Sequence, residues 1–133
     1  MTKIKAITAV FVGAFAVATL VAGPATAAGA PKAFNKCKSC HKVTAKHGVG
    51  PSLKGVVGRK AGTAKGYKRY SKNMKAAGEK GLVWDAKSLD AFITKPKKFL
   101  KTITGKKKTK MGFPGLKKAD QRAAIIEYLT AHK

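Results

Sequence analysis

Cys37-Lys38-Ser39-Cys40-His41 holds the chain's only two cysteines and one of its three histidines within five residues. Two thiols separated by two residues, with an imidazole directly after the second, form the C-x-x-C-H pattern by which haem c is attached to a chain. The spacing has a mechanical reason. One short segment must reach both vinyl groups of a porphyrin through thioether bonds, and the next imidazole then falls beneath the iron as an axial ligand. Other uses of the pair fit less well. A structural zinc site needs four protein ligands. Beyond the two cysteines the chain has only His41, His47 and His132, and His41 is too near Cys40 to be an easy further arm. A thiol–disulfide enzyme places C-x-x-C in a βαβ context, and no alternating β segment of useful length is visible. A plain disulfide across two residues leaves His41 unexplained.

Upstream of the motif, Lys3 and Lys5 precede an apolar run over 6–22, which Gly23-Pro24 breaks before a series of small residues. A basic start, an apolar middle and an A-x-A end read as a secretory signal. Ala25-Thr26-Ala27 is the best cleavage box, so residues 1–27 are the expected leader and 28–133 the expected domain. The rival is an uncleaved membrane anchor, although the run is slightly shorter than the ~20 residues that span a bilayer. Either way the rest of the chain is delivered outside the cytoplasm, here read as the periplasm. That is where haem c is attached, so leader and motif support each other. A domain this short has little apolar core of its own and gains from a large cofactor.

Charge is the loudest bulk feature. The chain has 29 Lys and Arg against five Asp and Glu, a formal charge of +24. Losing the leader removes two lysines and no acid, which leaves +22. Such a field attracts anionic partners and speeds encounter. Taken alone it suits an acidic protein, a nucleic acid or an anionic membrane surface. Export argues against nucleic acid, and the lysines lack the interleaved aromatics on which bases stack. Weak adhesion to an anionic membrane remains a secondary expectation.

Downstream, Pro31 can open a short helix running toward Cys37. The stretch 46–66 is punctuated by Gly48, Gly50, Pro51, Gly55, Gly58, Gly62 and Gly66 and reads as loop. Ser71 can cap a helix over 72–77 that Gly78 ends, and Asp85 can cap another over 86–94 that stops at Lys95-Pro96. Leu89, Phe92 and Ile93 share one face of the latter. Residues 95–110, with eight lysines, read as a basic loop. The clearest helix is 118–131, striped by Ile125, Ile126, Tyr128 and Leu129. The expectation is a small all-α domain with much loop.

With these residues in place, the chain resembles class I cytochromes c, especially the bacterial cytochrome c2 and mitochondrial cytochrome c group. The resemblance runs in order from Ala33 to Leu129. It implies N- and C-terminal helices packed together, with short helices and long loops around one covalent haem c. Gly50-Pro51-Ser52-Leu53 looks like the loop in which the Pro51 carbonyl accepts from His41 Nδ1, leaving Nε2 for iron. Gly55-Val-Val-Gly58-Arg59 and Gly66-Tyr67-Lys-Arg-Tyr70-Ser71 resemble the segments around the haem propionates. By similarity Arg59, Tyr67 or Tyr70, and Trp84 donate hydrogen bonds to them. Lys108-Thr109-Lys110-Met111-Gly112-Phe113-Pro114 resembles the second-ligand segment, with Met111 as sixth iron ligand and Thr109 in the cofactor site.

The resemblance also implies a role. With both axial positions filled, iron exchanges electrons and nothing else, so the implied function is a monomeric single-electron carrier rather than an enzyme. Lys36, Lys97, Lys98, Lys110, Lys117 and Lys118 map to the rim that docks acidic redox partners transiently. The implied donor is a quinol–cytochrome c reductase; the implied acceptor is an oxidase or a photosynthetic reaction centre. The competing role is the haem subunit of a periplasmic dehydrogenase, or a peroxidase-like protein with an open sixth position. Some positions depart from the pattern. Phe92 stands where many relatives carry a tyrosine near the methionine sulfur. Ala33 replaces an aromatic of the first helix, with Phe34 shifted one place. The stretch from Pro96 to Met111 is longer than in mitochondrial relatives and is expected as a surface loop.

Overall fold

The computed structural model describes residues 29–133, so the leader and its cleavage box lie outside the described residues. The first helical turn is 3-10 (Lys32–Phe34) and runs into α1 (Asn35–Lys38). It is followed by α2 (Lys72–Glu79), α3 (Ala86–Thr94), α4 (Pro96–Thr104) and α5 (Ala119–Ala131). Among the described residues there is no strand, only an isolated bridge between Lys60 and Val83. No described helix is long and apolar enough to cross a membrane.

Local chemistry explains the boundaries. Ser71 Oγ accepts the Met74 N–H and starts α2. Asp85 and Ser88 form a reciprocal capping box that starts α3. The helix α2 runs past Gly78, contrary to the expected stop there. Gly78 is buried, and a Cβ on it would strike the Ala61 carbonyl oxygen. That glycine serves close packing of the 58–64 loop on α2 rather than chain reversal.

The larger correction is α4. Residues 95–110 read as loop because of their lysines, yet Pro96–Thr104 is helical. Pro96 fits the first turn, where its missing N–H costs nothing. Pro96 and Leu100 are buried, with Phe99 and Ile103 half-buried beside them, while Lys97, Lys98 and Lys101 stay in solvent. A stripe this narrow still anchors a helix. Gly105, at φ 77°, then ends it in the left-handed region.

The helix α3 packs on both α4 and α5, α2 packs on α4, and α5 crosses the first turn. Phe34 is 3% exposed and meets the Tyr128 ring at 4.9 Å between centroids. The expected contact of the terminal helices is therefore made by Phe34, with Ala33 beside it. The core joins Phe34, Leu89, Phe92, Ile93, Leu100, Ile125 and Leu129 in one cluster.

Candidate haem centre

Cys37, Cys40 and His41 sit on one helical turn, because the N–H groups of Cys40 and His41 both reach the Cys37 carbonyl, at 3.1 and 2.9 Å. Both thiols are free. Cys40 is exposed, whereas partial burial pushes the Cys37 thiol up from its ordinary pKa. His41 Nδ1 lies 2.7 Å from the Pro51 carbonyl oxygen. A carbonyl can only accept, so Nδ1 carries the proton and Nε2 keeps its lone pair for a metal. Burial lowers the imidazole pKa, with the Pro51 bond opposing it, so the ring favours the neutral form that ligation needs. Gly50 lies against the ring so closely that a Cβ there would collide with His41 Cε1. Gly50 N–H also bonds the Cys40 carbonyl at 2.8 Å. The loop is folded back onto the motif and cradles the imidazole.

The residues expected around the propionates separate by the state of their protons. Tyr67 donates its hydroxyl proton to the Val49 carbonyl at 2.6 Å. Tyr70 instead accepts the Ala64 N–H at 3.2 Å, and its own proton has no protein acceptor among the described hydrogen bonds. Burial pushes its pKa up and keeps it a donor. Trp84 is 7% exposed, yet its indole N–H has no acceptor among the described hydrogen bonds, and no fully buried polar side-chain atom among the described residues lacks a partner. The N–H therefore faces accessible space. The Arg59 carbonyl accepts the Trp84 N–H at 2.9 Å, and the Arg59 guanidinium donates to the Lys54 and Ser52 carbonyls at 3.1 and 2.8 Å. Burial lowers the Arg59 pKa while the neighbouring Tyr70 raises it, so the two side chains share a region. Thr109 Oγ1 accepts the Met111 N–H at 3.0 Å and likewise retains a proton to donate.

Met111 borders the same apolar cluster as Cys37, Leu53 and Phe113. Its segment is fastened downstream by the Leu116 N–H to the Ile93 carbonyl at 2.8 Å and by Arg122. Arg122 pairs with Asp90 at 2.7 Å and donates to the carbonyls of Leu116 and Lys117 at 3.0 and 2.7 Å. Sequence reading missed this clamp, as it missed Asn73, whose amide bonds the carbonyls of Lys106 and Lys108. A buried Arg in a terminal helix and an Asn one place past the first residue of another were the available signals. His47, for which the sequence suggested no role beyond the zinc alternative, is a strut. Its Nδ1 accepts the Ser52 N–H and its Nε2 donates to the Lys65 carbonyl, each at 2.9 Å.

All six lysines expected to form a docking rim, Lys36, Lys97, Lys98, Lys110, Lys117 and Lys118, are exposed. Lys110 Nζ also reaches the Arg69 carbonyl at 3.3 Å. Lys97 and Lys98 join Lys95 and Lys107 around an open depression of about 460 Å³ beside Phe113 and Pro114.

A family model described as cytochrome c matches residues 27–133. The chain belongs to the cytochrome c family. It is 47% identical over 107 residues to cytochrome c2 iso-2 of Magnetospirillum molischianum, covering 80% of this chain and 100% of that protein. It is 40% identical over 129 residues to cytochrome c2 of Cereibacter sphaeroides, covering 89% and 88%. The structure of cytochrome c2 from Rhodospirillum centenum superposes with a TM-score of 0.70 at 37% identity, covering 76% of this chain and 92% of that one. This cytochrome c carries one covalent haem c and transfers electrons rather than converting a substrate. The dehydrogenase-subunit and peroxidase-like readings are not favoured.

The residues present fit that group on four counts. They are two free thiols on one turn, an imidazole with a bare Nε2, a glycine cradle behind it, and donor protons on Tyr70, Trp84 and Thr109 that have no acceptor among the described hydrogen bonds.

Proposed function

We propose that this cytochrome c is a periplasmic carrier passing single electrons from a quinol–cytochrome c reductase to an oxidase or photosynthetic reaction centre. On this reading residues 1–27 are a leader removed after Ala27, and 28–133 form a monomeric haem domain. Cys37 and Cys40 make the thioethers, and His41 and Met111 are the axial ligands. Pro51 fixes the His41 tautomer. Arg59, Tyr70, Trp84 and Thr109 receive the propionates, and Tyr67 holds their loop through Val49. The observation that carries the reading is the 2.7 Å contact of His41 Nδ1 with the Pro51 carbonyl. It leaves a neutral, oriented Nε2 one residue from a thiol.

Bound there, haem c supplies a one-electron ferric–ferrous couple, whose potential a thioether ligand raises. The chain's own part is to keep the imidazole neutral, to donate protons to buried carboxylates that are costly without partners, and to keep Met111 in place. The lysine rim steers acidic partners to this face, and an anionic membrane surface holds the protein weakly.

Stopped-flow electron exchange with the reductase tests the role. The second-order rate is expected to fall steeply with added salt, because exposed charges beyond about 8 Å are screened at ~0.15 M. Replacing Lys97, Lys98, Lys117 and Lys118 together by Ala should remove most of that slope. A salt-independent rate, or one unchanged by the four substitutions, contradicts docking through the rim.

A further inference from the structure

Asn73 is a polar side chain kept from solvent. It is the second residue of α2, its backbone set by the Ser71 cap, and it is 7% exposed. Burying an amide is unfavourable unless its donors are satisfied. Both protons of Asn73 Nδ2 are satisfied, by the Lys106 and Lys108 carbonyls at 2.8 Å each. Reversing the amide would set an acceptor against two carbonyl oxygens, so only this orientation holds. In extended chain, carbonyls two residues apart point the same way, which lets one NH₂ group bridge both.

The bridged loop has reasons to lift away. After Gly105 the chain carries Lys106, Lys107, Lys108 and Lys110, all exposed. Like charges this dense repel one another, and the ion pair found among the described residues, Arg122–Asp90, lies elsewhere. Three residues beyond Lys108 comes Met111. The downstream end of its segment is fastened to α3 and α5 by Leu116 and Arg122. At the upstream end, the other long-range side-chain bond is the exposed Lys110 Nζ to the Arg69 carbonyl, at 3.3 Å. Asn73 is the buried fastening of that end.

We infer that Asn73 is a positioning residue for the sixth ligand, clamping the lysine loop to α2 so that Met111 leaves the iron rarely. The inference rests on the reading of Met111 as that ligand. It asks nothing of Asn73 at the iron itself; the amide acts through the backbone it holds.

Imidazole binding to the ferric, haem-loaded protein reports how often the sixth position opens, and the far-red methionine band reports the ligand. Asn73→Ala should keep the band at neutral pH and bind imidazole roughly tenfold faster, the scale of losing two net hydrogen bonds. Ile125→Val in the core of α5 lowers general stability and should change that rate by less than about twofold. If Asn73→Ala fails to load haem, Asn73→Ser, which keeps one short donor, should show the same acceleration. An Asn73 variant no faster than wild type, or no faster than Ile125→Val, overturns the clamp while leaving the ligand reading intact. A wild-type protein without the far-red band overturns the ligand reading, and the clamp with it.

Discussion

His41 Nδ1 and the Pro51 carbonyl oxygen stand 2.7 Å apart, ten residues apart along the chain, with Gly50 pressed against the ring between them. The contact makes one ring nitrogen a donor and leaves the other bare. Gly50 is what allows the loop to come this near. Gly50→Ala is expected to destabilise the haem-loaded protein by about 1–3 kcal/mol, the usual cost of overpacking. Gly112→Ala, whose Cβ meets nothing within 4 Å, is expected to be close to neutral. Urea unfolding of the two variants checks the contrast; equal losses would remove the cradle from the account.

The free protons of Tyr70 and Trp84 lead to a prediction about potential. A donor facing a propionate lowers the electron density near the iron and favours the ferrous form. Tyr70→Phe and Trp84→Phe should each lower the midpoint potential by roughly 30–60 mV, about one net hydrogen bond at 59 mV per tenfold. Tyr67→Phe loses only the bond to Val49 and should shift the potential much less. Protein-film voltammetry gives all three. A larger shift for Tyr67→Phe than for Tyr70→Phe would reverse the assignment.

Arg122 holds three partners from the C-terminal helix, and its side chain is 11% exposed against 45% for Asp90. Arg122→Ala should destabilise by about 2–3 kcal/mol, below the range for fully buried pairs because the stranded carboxylate can reach water. Asp90→Asn, which keeps an acceptor, should cost less. Chemical denaturation measures both, and an Arg122→Ala loss within error of zero would contradict the clamp.

The helix cap at Asp85 has a pH signature. Hydrogen bonds from the Ser88 backbone and side chain, with Lys87 nearby, lower its carboxyl pKa below the usual 3.8. A depressed acid stabilises the fold above its unfolded pKa, and that contribution is lost as pH falls through the folded one. Asp85→Ala should therefore lower the melting temperature at neutral pH. The gap between it and wild type should narrow as the pH drops below 3.8 toward the folded value. A gap that stays constant across that window would show that the charge contributes nothing.

How far the sequence could be read depended on where each residue's partner lies. Ser71 and Asp85 announce their helices because their partners, Met74 and Ser88, are three residues on. Cys37, Cys40 and His41 carry their chemistry in five consecutive positions. By contrast, α4 was hidden by its lysines, since three of them decorate a helix whose hold on the core is chiefly Pro96 and Leu100. Gly78 looked like a helix stop because the Ala61 carbonyl that requires it lies in a separate loop. The choice between Tyr67 and Tyr70 turns on which proton is already donated, and that depends on Val49 and Ala64 in the folded chain. Asn73 and Arg122 act on partners that include residues 32 to 35 positions away. No local pattern records such pairings.

The most direct test is the visible spectrum of the ferric, haem-loaded protein beside its Met111→Ala variant. The account predicts covalent haem in both, with the weak far-red band of methionine sulfur in the wild type and its loss in the variant. Covalent haem without that band in the wild type, or a band that survives Met111→Ala, would contradict ligation by Met111.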